Sequence, residues 1–504
     1  MLSIIKCVAL NGIQGFIVDV QVDVSNGIPK CDIVGLPDAS IRESKERVST
    51  AIKNSGFEFP NKKIIINLAP ATVRKEGTAL DLSIAIAIIS ANKNVNVNNI
   101  QQTLFIGELG IDGNLIAING ILPICIEAKR MGFKRAIIPE QNCREACIVD
   151  NIEIIPAKSL KQVVMFLNNQ ISINPVKSKE KSYNEKQFLF DFSDVKGQKN
   201  IKRALEIAAS GGHNCLLIGS PGSGKTMMAK RIQTILPNLT FDESIEVTKI
   251  HSIAGKLSNN NPLVVNRPFV SPHYSITKIA LVGGYKEIKP GEISIAHNGI
   301  LFLDELPEFD RGTLDALRGP LEDGKIQINR SGMNISYPCK FMLIASMNPC
   351  PCGYYGSENP CKCNENSIRR YLNKVSGPLL DRIDIQVRVE RVKYHDFNSE
   401  NEEESSATIK ERVKKVRNIQ NERYKEEGIL LNSELNSEQM KKYCRLNKNC
   451  EKILEKYFDK LKLSARAYSK ILKVARTIAD MDSSKEIDKT HILEAVQYRN
   501  LDKF

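Results

Sequence analysis

The spacing of apolar and polar residues divides the first part of this chain into strand-like and helix-like segments. Apolar and polar residues alternate from Gly15 to Val24, which is typical of a strand with one buried face. Helical spacing is present in Ile41–Ser55 and Ala79–Ser90, and Lys63–Leu68 has the apolar run of a buried strand. Residues 1–170 therefore predict an α+β domain. Three further segments complete it, a glycine-turn hairpin, a helix and a short strand: Gly107–Leu115, Ile121–Met131 and Arg135–Pro139.

A second periodic region contains a glycine-rich turn between a strand and a helix. The apolar run Cys215–Ile218 precedes the turn, and a helical pattern follows it through Ile232. The turn has the spacing G-x-x-x-x-G-K-T of a phosphate-binding P-loop, in which backbone N–H groups and a helix N-terminus face the phosphates. Its residues are Gly219, Ser220, Pro221, Gly222, Ser223, Gly224, Lys225 and Thr226. We expect Lys225 to contact the β- and γ-phosphates and Thr226 to bind Mg²⁺.

Two later apolar runs end in residues that suit nucleotide hydrolysis. Asp304 and Glu305 follow the run Gly299–Leu303, where Asp304 would hold Mg²⁺ and Glu305 would polarise the attacking water. Asn348 follows Phe341–Met347, and its amide would contact the γ-phosphate or the water. Because both runs lie downstream of a P-loop, residues 187–395 predict an α/β core that hydrolyses a nucleoside triphosphate.

The remaining segments predict a linker and a helical domain. Residues 171–186 are charged and poor in apolar side chains, which indicates a linker. Residues 396–504 predict a C-terminal helical lid domain. Within it, residues 396–430 have the charge pattern of solvated helix faces, a long helix ends near Met481, and a final helix begins at Lys489.

Composition and charge narrow the class of protein. The net charge of +13 favours a polyanionic partner such as nucleic acid, with a basic solvated surface as the alternative. Most of the 13 cysteines lie singly in apolar runs, which indicates the reducing cytoplasm. Neither an apolar run of 18 residues nor a signal-peptide pattern is present, so we expect a cytoplasmic protein that does not bind membranes.

Four cysteines form a compact pattern after Asn348. Cys350 and Cys352 are separated by eight residues from Cys361 and Cys363. Four thiolates can surround one Zn²⁺ in a closed structural site. Zinc ribbons more often contain C-x-x-C, and cytoplasmic thiols need no metal, so zinc and free thiols both remain open.

A β-hairpin with a basic tip is predicted over Lys325–Tyr337, after a helix over Leu314–Glu322. In ring ATPases a hairpin at this place can project toward the central pore. Lys325 and Arg330 would then contact DNA phosphates without reading sequence. An ordinary surface hairpin is the alternative.

The N-terminal domain resembles the proteolytic domain of Lon-type proteases, which has the ribosomal S5 domain 2-like fold. The resemblance rests on three segments, 107–120, 128–133 and 137–139. That family uses a serine–lysine dyad, but Ala79 matches the serine position and Ile121–Pro123 stands where the lysine would follow Gly120. The resemblance therefore implies a domain without protease activity, although Thr78 and Ser83 remain as substitute nucleophiles.

The chain as a whole resembles the magnesium-chelatase-like branch of the AAA+ ATPases, and within it the ComM/YifB-type proteins. The segments that carry this resemblance are Gly219–Thr226, Pro290–Glu305, Ser346–Gly353, Ser376–Asp384 and Ser464–Met481. It implies a P-loop AAA+ core with a helical lid, ATP and Mg²⁺ as ligands, and a homohexamer that hydrolyses ATP at subunit interfaces. It also implies a DNA helicase that promotes branch migration when single-stranded DNA integrates during natural transformation. Single-stranded or branched DNA would be its partner.

The same resemblance implies roles for arginines outside the P-loop. Arg382 would act on the nucleotide of a neighbouring subunit, Arg370 is a second candidate for that role, and Arg466 would be the lid sensor. Gly319 departs from the family pattern, in which a glutamine is expected. Two other functions remain open. The shared ATPase branch favours a motor for metal insertion into tetrapyrroles, whereas Ala79 opposes a Lon-like ATP-dependent protease.

Overall fold

A computed structural model gives the fold of this chain. It describes residues 1–93, 95, 100, 102–176, 188–258, 261–284, 289–330, 333–391, 403–461 and 463–499, so most of the predicted linker lies outside the described residues. In these ranges, no helix is long and apolar enough to cross a membrane.

The N-terminal region is built around a four-stranded sheet in the order β1-β2-β4-β3. Strands β1 (Leu2–Asn11) and β2 (Gln14–Ser25) form an antiparallel hairpin, and β2 also pairs antiparallel with β4 (Lys63–Ala69). Strand β3 (Lys30–Val34) runs parallel to β4. The alternation predicted for β2 is confirmed, because its valines face the core while the intervening polar residues are more exposed.

Helices and a second small sheet enclose this core. Helix α2 (Asp81–Ala91) is buried along its whole length, as its nearly continuous apolar sequence requires. The small sheet is parallel in the order β5-β8-β9. The other elements are α1 (Ala39–Asn54), β5 (Thr103–Phe105), β6 (Glu108–Leu109), β7 (Leu115–Ile116), α3 (Ile121–Arg130), β8 (Arg135–Pro139), α4 (Cys143–Ala146), β9 (Glu153–Ala157) and α5 (Leu160–Leu167).

A five-stranded parallel sheet in the order β11-β12-β15-β10-β16 forms the second region. Its strands are almost entirely apolar because separate hydrophobic clusters cover its two faces. The strands are β10 (Cys215–Gly219), β11 (Phe269–Val270), β12 (Gly299–Leu303), β15 (Phe341–Met347) and β16 (Ile385–Val389). We call the edge where these strands end the carboxyl edge, and the edge where they begin the amino edge.

Short helices and a hairpin surround this sheet. They are α6 (Lys199–Gly211), α7 (Lys225–Ile235), α8 (Phe241–Ile253), α9 (Lys278–Val282), α10 (Glu292–Ile295), α11 (Arg311–Asp315), α12 (Arg318–Asp323), β13 (Lys325–Arg330), β14 (Met333–Pro338), α13 (Glu365–Leu372) and α14 (Gly377–Leu380). The single helix expected over Leu314–Glu322 is wrong, since α11 ends and α12 begins within that range. Pro320 explains the break, because it lacks the N–H that a continuous helix needs and is tolerated only in a first turn.

The C-terminal region is helical, and its first helix packs on the sheet region. The helices are α15 (Ser406–Arg423), α16 (Ser437–Tyr443), α17 (Lys448–Leu461), α18 (Ala465–Met481) and α19 (Lys489–Gln497). Helix α15 buries Ile409, Val413 and Val416 against α6 and α7 and exposes its charged faces. These three apolar residues recur at helical spacing and form one buried face, so only the remaining faces of this charged helix are solvated.

The N-terminal region and the sheet region are packed together. Helix α3 packs against α8. At this contact the Ser252 hydroxyl donates a hydrogen bond to the Glu145 carboxylate. Leu263, from the chain after α8, is buried in the N-terminal hydrophobic core.

Candidate active site

The P-loop lies at the carboxyl edge, between β10 and α7. Gly222 and Gly224 have φ values of +74° and +89°, a region that favours glycine, and α7 begins at Lys225. A Cβ atom at Gly219 would lie 2.5 Å from the backbone oxygen of Val389, so a larger residue would displace the neighbouring strand. The glycines therefore serve both the turn and the packing of the sheet.

Lys225 is held across the loop by three oxygen atoms. Its Nζ donates to the backbone oxygens of Gly219 (2.8 Å) and Ser220 (3.0 Å) and to Oδ1 of Asn348 (3.1 Å). Burial lowers the pKa of Lys225, and the nearby carboxylates of Asp304 and Glu305 oppose that shift. A partly desolvated ammonium at this position suits a phosphate group.

Ser223 supplies a second observation that fits a phosphate. Its side chain is buried, and its Oγ has no hydrogen-bond partner within the described residues. A buried hydroxyl without a partner is costly, and phosphate oxygens at the P-loop would satisfy it. The residues present therefore fit the triphosphate of a nucleotide.

Asp304 joins the ends of three strands. Its Oδ2 accepts a hydrogen bond of 2.7 Å from Thr226 Oγ1, and its Oδ1 accepts one from the hydroxyl of Ser346. The backbone N–H of Glu305 also donates to Asp304 Oδ1, at 3.1 Å. A hydroxyl and a carboxylate oxygen in contact are ligands that suit Mg²⁺.

Glu305 is exposed and adopts a left-handed backbone conformation, with φ at +54°. A non-glycine residue in this conformation is uncommon and such residues cluster at functional sites. The backbone nitrogen of Glu305 lies 3.4 Å from Ser346 Oγ, which is a second acceptor for its N–H. The structure thus brings together the five predicted residues Lys225, Thr226, Asp304, Glu305 and Asn348.

Two residues of this site were missed from the sequence. Ser346 contacts both Asp304 and Glu305, and its signal was a polar residue near the end of an apolar strand. Arg391 donates from Nη2 to the backbone oxygen of Pro221 at 3.2 Å. No sequence pattern marks Arg391, because only the pairing of β16 with β10 brings it to the P-loop.

Arg382 and Arg466 lie away from this cluster. Arg382 donates to the backbone oxygens of Arg318 (3.2 Å) and Pro378 (2.6 Å) and pairs with the Glu322 carboxylate. Its backbone oxygen accepts from the side chain of Asn214, the residue before β10, which places Arg382 at the amino edge. Strand β10 separates the two edges by about 13 Å at 3.3 Å per residue.

Arg466 lies at the same amino edge, at the start of α18. Its Nη1 is 3.9 Å from Oδ2 of Asp381, and its side chain is 60% exposed. Nearby, Asp384 is buried and contacts Lys470 and His213. Burial alone would raise the pKa of Asp384, but the Lys470 ammonium and His213 lower it below the usual range. This buried pairing fixes α18 against the segment that carries Arg382.

Arg370 lies in a cleft of about 670 Å³ beside the carboxyl edge. Glu308, Arg311, Arg369 and Lys374 also line this cleft. Lys374 pairs with Glu308 at 3.5 Å, whereas neither Arg369 nor Arg370 forms an ion pair with any residue of the described ranges. Arg370 is exposed, while Arg382 is only 13% exposed.

The predicted hairpin is confirmed as β13 and β14, paired from Lys325 with Pro338 to Arg330 with Met333. Ile335 and Tyr337 are buried, and a Cβ atom at Gly12 in the β1–β2 turn would lie 2.5 Å from Ile335. Lys325 lies on the exposed polar face. The side chain of Arg330 and residues 331–332 at the tip lie outside the described residues.

The four cysteines after Asn348 converge. The sulfur atoms of Cys350, Cys352, Cys361 and Cys363 all lie within 4.8 Å of one another. Backbone N–H groups of Tyr354 and Lys362 lower the pKa of the Cys352 thiol to about 6. Burial and the neighbouring sulfur atoms instead raise the pKa of the Cys361 and Cys363 thiols, so of these three thiols Cys352 alone favours the thiolate, which is the metal-binding form.

The residues considered for proteolysis do not form the serine–lysine dyad of Lon-type proteases. Ser83 is fully buried and donates to the backbone oxygen of Phe105 at 2.5 Å, and Thr78 donates to the Glu108 carboxylate. Lys75 is also buried, and its ammonium donates to backbone oxygens, including that of Leu68 at 2.8 Å. The alanine at position 79 offers no side-chain nucleophile.

Three family descriptions match successive parts of the chain. "Subunit ChlI of Mg-chelatase" matches residues 20–142. "Magnesium chelatase, subunit ChlI" matches residues 191–397, and "Magnesium chelatase, subunit ChlI C-terminal" matches residues 403–499. The P-loop, Asp304, Asn348 and Arg382 all fall within the second of these matches.

Known proteins are similar to this chain over its full length. "Competence protein ComM" of Haemophilus influenzae is 42% identical and covers 99% of this chain and 97% of its own length. "Uncharacterized protein YifB" of Escherichia coli is 42% identical, covering 100% of this chain and 98% of its own length. The "Archaeal Lon protease" of Methanocaldococcus jannaschii is 35% identical over 108 residues, which is 21% of this chain and 16% of the protease. The chain therefore belongs to the ComM/YifB family of magnesium-chelatase-like AAA+ proteins, as its motifs predicted.

Proposed function

We propose that this protein is an ATP-driven DNA motor, a helicase that promotes branch migration during recombination in natural transformation. The observation that carries the proposal is the cluster of Lys225, Thr226, Asp304, Glu305 and Asn348 at one edge of a parallel sheet. This cluster supports ATP hydrolysis, and the full-length similarity to a competence protein supports the DNA process.

Lys225 would bind the β- and γ-phosphates. Its ammonium would exchange the backbone oxygens of Gly219 and Ser220 for phosphate oxygens, while Asn348 Oδ1 stays within reach. Ser223 Oγ would gain the partner that it lacks among the described residues. Thr226 and Asp304 would hold Mg²⁺, which when bound neutralises charge on the phosphates.

Glu305 would orient and polarise the attacking water. Its backbone N–H donates hydrogen bonds to the side chains of Asp304 and Ser346. These bonds hold the backbone of Glu305 next to Asp304, the residue that would hold Mg²⁺. Glu305 would accept a hydrogen bond from the water as the water attacks the γ-phosphate. Asn348 would contact the γ-phosphate or the same water.

Hydrolysis would be completed by a neighbouring subunit in a homohexameric ring. Arg382 and Arg466 occupy the amino edge, across the sheet from the P-loop of their own chain. In a ring that turns this edge toward the next subunit's P-loop, Arg382 would stabilise charge on that subunit's nucleotide, and Arg466 would sense it. Arg370 is the alternative trans arginine, since it is exposed and not ion-paired among the described residues.

DNA would be contacted through its backbone. The net charge of +13 supports a polyanionic partner, and Lys325 is exposed on the polar face of the hairpin. Lys325 and Arg330 would neutralise phosphates of single-stranded or branched DNA, with affinity that falls as salt rises.

The domain organisation would separate these tasks. We assign residues 1–170 to a Lon-like, S5 domain 2-like domain without protease activity and 171–186 to a linker. Residues 187–395 would be the AAA+ core and 396–504 the helical lid domain. ATP and Mg²⁺ are the ligands that this function needs, and Zn²⁺ at the four cysteines would be a structural addition.

A magnesium-chelatase-type motor for metal insertion is the second candidate, favoured by the three family matches. ATP turnover measured with and without single-stranded and forked DNA distinguishes the two candidates. Stimulation by DNA supports the DNA motor, whereas turnover that ignores DNA favours the second candidate.

A further inference from the structure

We infer that Cys350, Cys352, Cys361 and Cys363 bind one structural Zn²⁺. We also infer that the resulting zinc loop holds the P-loop in its nucleotide-binding conformation, an effect that we call the brace. The loop consists of residues 350–363 and lies between Asn348 and the helix α13. Zinc binding stands on the cysteine geometry alone, whereas the bracing rests on the nucleotide site proposed above.

The sulfur positions fit a single tetrahedral metal ion. The Sγ of Cys350 lies 3.4 Å from that of Cys352 and 3.7 Å from that of Cys361, and the last two are 3.5 Å apart. Zn–S bonds of about 2.3 Å in a tetrahedron place sulfur atoms about 3.8 Å apart. Cys363, within 4.8 Å of the other three, completes a set of four ligands.

Other uses of four cysteines fit less well. A disulfide requires about 2.05 Å between sulfurs, well below the spacing in this cluster, and all four cysteines are free. A cluster of several iron atoms lies between its ligands and would spread the sulfurs beyond 4.8 Å. A four-thiolate set with no open position indicates a structural ion.

The part of the loop between Cys352 and Cys361 lacks a core of its own. Residues 355–360 are all exposed and provide no hydrophobic core. Their internal hydrogen bonds are local, such as that from the N–H of Ser357 to the backbone oxygen of Tyr354 at 3.1 Å. A metal that closes the chain between Cys352 and Cys361 removes conformational freedom from this segment.

Two arginines and one backbone N–H group contact the loop that carries the four cysteines. Four thiolates and Zn²⁺ carry a net charge of about −2. Arg388 lies 3.1 Å from the Cβ position of Gly356, and Arg391 stacks on the Tyr354 ring at 5.7 Å. The backbone N–H of Tyr355 donates to Cys350 Sγ at 3.4 Å, the type of second contact that orients metal ligands.

The same loop is seated on the P-loop. Gly353 has φ of +83°, and a Cβ atom there would lie 2.4 Å from Cδ of Pro221. Arg391 links the two loops, because it stacks on Tyr354 and donates to the backbone oxygen of Pro221 at 3.2 Å. Cys350 also lies two residues after Asn348, so the zinc loop touches the phosphate site from two directions.

Metal analysis of the full-length protein, purified without chelator from zinc-supplemented cells, tests zinc binding. We expect about one zinc per chain, its loss in Cys361→Ser, and its retention in the control Cys31→Ser, which lies in β3. Replacing zinc with Co²⁺ should give the intense visible absorption of a tetrahedral cobalt–thiolate site in the wild type. Zinc-free protein whose four thiols react freely, or zinc retained by Cys361→Ser, overturns the site, and so does an octahedral cobalt spectrum.

Binding of a fluorescent ATP analogue by the same proteins tests the brace. We expect Cys361→Ser and Gly353→Ala to weaken binding about tenfold, which is 1.4 kcal/mol, while Gly353→Ala keeps its zinc. Gly356→Ala is the control, because it has similar φ strain but meets only the flexible end of Arg388. Wild-type nucleotide affinity in both zinc-loop variants overturns the brace. A wild-type protein that holds zinc but binds no ATP analogue instead contradicts the proposed function.

Discussion

Thr226 Oγ1 donates a 2.7 Å hydrogen bond to Asp304 Oδ2. This bond connects the P-loop helix after β10 to the end of β12, although β15 lies between these two strands in the sheet. Thr226 follows β10 and Asp304 follows β12, with β15 between them. Ser346, near the end of β15, donates to the other oxygen of the same carboxylate. Three strand ends therefore meet in one site, and hydrogen bonds connect the helix after the P-loop to the residue expected to hold Mg²⁺.

Glu305→Gln should preserve ATP binding and stall hydrolysis. The amide keeps the shape of the side chain but cannot assist the attacking water, so we expect turnover to fall by about 10²–10⁴. Glu308→Gln is the matched control, an exposed carboxylate three residues away that pairs with Lys374. Binding of a fluorescent ATP analogue and phosphate release measure the two effects. Normal turnover by Glu305→Gln would remove Glu305 from the mechanism.

Arg382→Ala should reduce turnover by about 10³–10⁵ if this arginine acts on a neighbour's nucleotide. Mixing these subunits with Lys225→Ala subunits should restore part of the activity, because an interface with an intact P-loop can then face an intact Arg382. Arg370→Ala undergoes the same mixing experiment.

The mixing experiment also separates catalysis from local structure. Arg382 pairs with Glu322 and bonds to two backbone oxygens, so its loss could loosen α12 and α14 within one chain. Damage that reaches the P-loop of the same chain is not rescued by mixing. Rescue with Arg370→Ala but not with Arg382→Ala would transfer the trans role to Arg370.

The local pattern predicted much of the nucleotide-site fold. Apolar runs that end in Gly219, Asp304 and Asn348 are parallel strands whose carboxyl ends meet, and a parallel topology brings such ends to one edge. The spacing of the P-loop likewise fixed Lys225 and Thr226 beside them. These predictions succeeded because the residues concerned lie directly next to the strands that position them.

Contacts that depend on tertiary packing could not be predicted from the sequence. Arg391 reaches Pro221 only because β16 pairs with β10, and Gly353 meets Pro221 only through the path of the zinc loop. The break between α11 and α12 was not predicted, because the apolar residues of this segment have helical spacing on both sides of Pro320. The roles of Arg382 and Arg466 remain predictions, since they depend on how subunits meet.

Lys325→Ala combined with Arg330→Ala should weaken the salt dependence of DNA binding. Each phosphate contact to a single strand contributes a slope of about 0.7 in log K against log salt, so two lost contacts should reduce the slope by about 1.4. Fluorescence anisotropy with labelled single-stranded DNA measures it. Lys340→Ala, an exposed lysine just after the hairpin that pairs with Glu434 at 3.6 Å, is the control. An unchanged slope with intact ATP turnover would make this an ordinary surface hairpin.

The contact between α8 and α10 should weaken as pH falls below about 6.5, the ordinary pKa of histidine. His251 Nε2 lies 3.0 Å from the backbone oxygen of Ile295, and burial lowers the pKa of His251. Because the folded pKa is depressed, the unfolded chain binds the proton more readily, and stability present above this pH is lost as pH falls. The slope cannot exceed about 1.4 kcal/mol per pH unit for one group.

Urea unfolding of wild type and His251→Gln between pH 7.5 and 5.5, about one unit on each side of the histidine pKa, checks this prediction. The glutamine amide can still donate to Ile295 but does not titrate, so its profile should be flatter. The exposed His273, replaced by glutamine, is the control and should behave as the wild type. Identical profiles for wild type and His251→Gln would contradict the assignment.

The most direct test of the proposed function is ATP turnover by the full-length protein, with excess Mg²⁺, in the absence of DNA and with single-stranded or forked DNA. We predict that either DNA raises the rate of ATP turnover and that the strands of forked DNA are separated only when ATP is hydrolysed. We also predict that Lys225→Ala abolishes both ATP turnover and strand separation. A turnover rate unchanged by both DNAs, in protein whose ATP hydrolysis depends on Lys225, would contradict a DNA motor while leaving the ATP site intact.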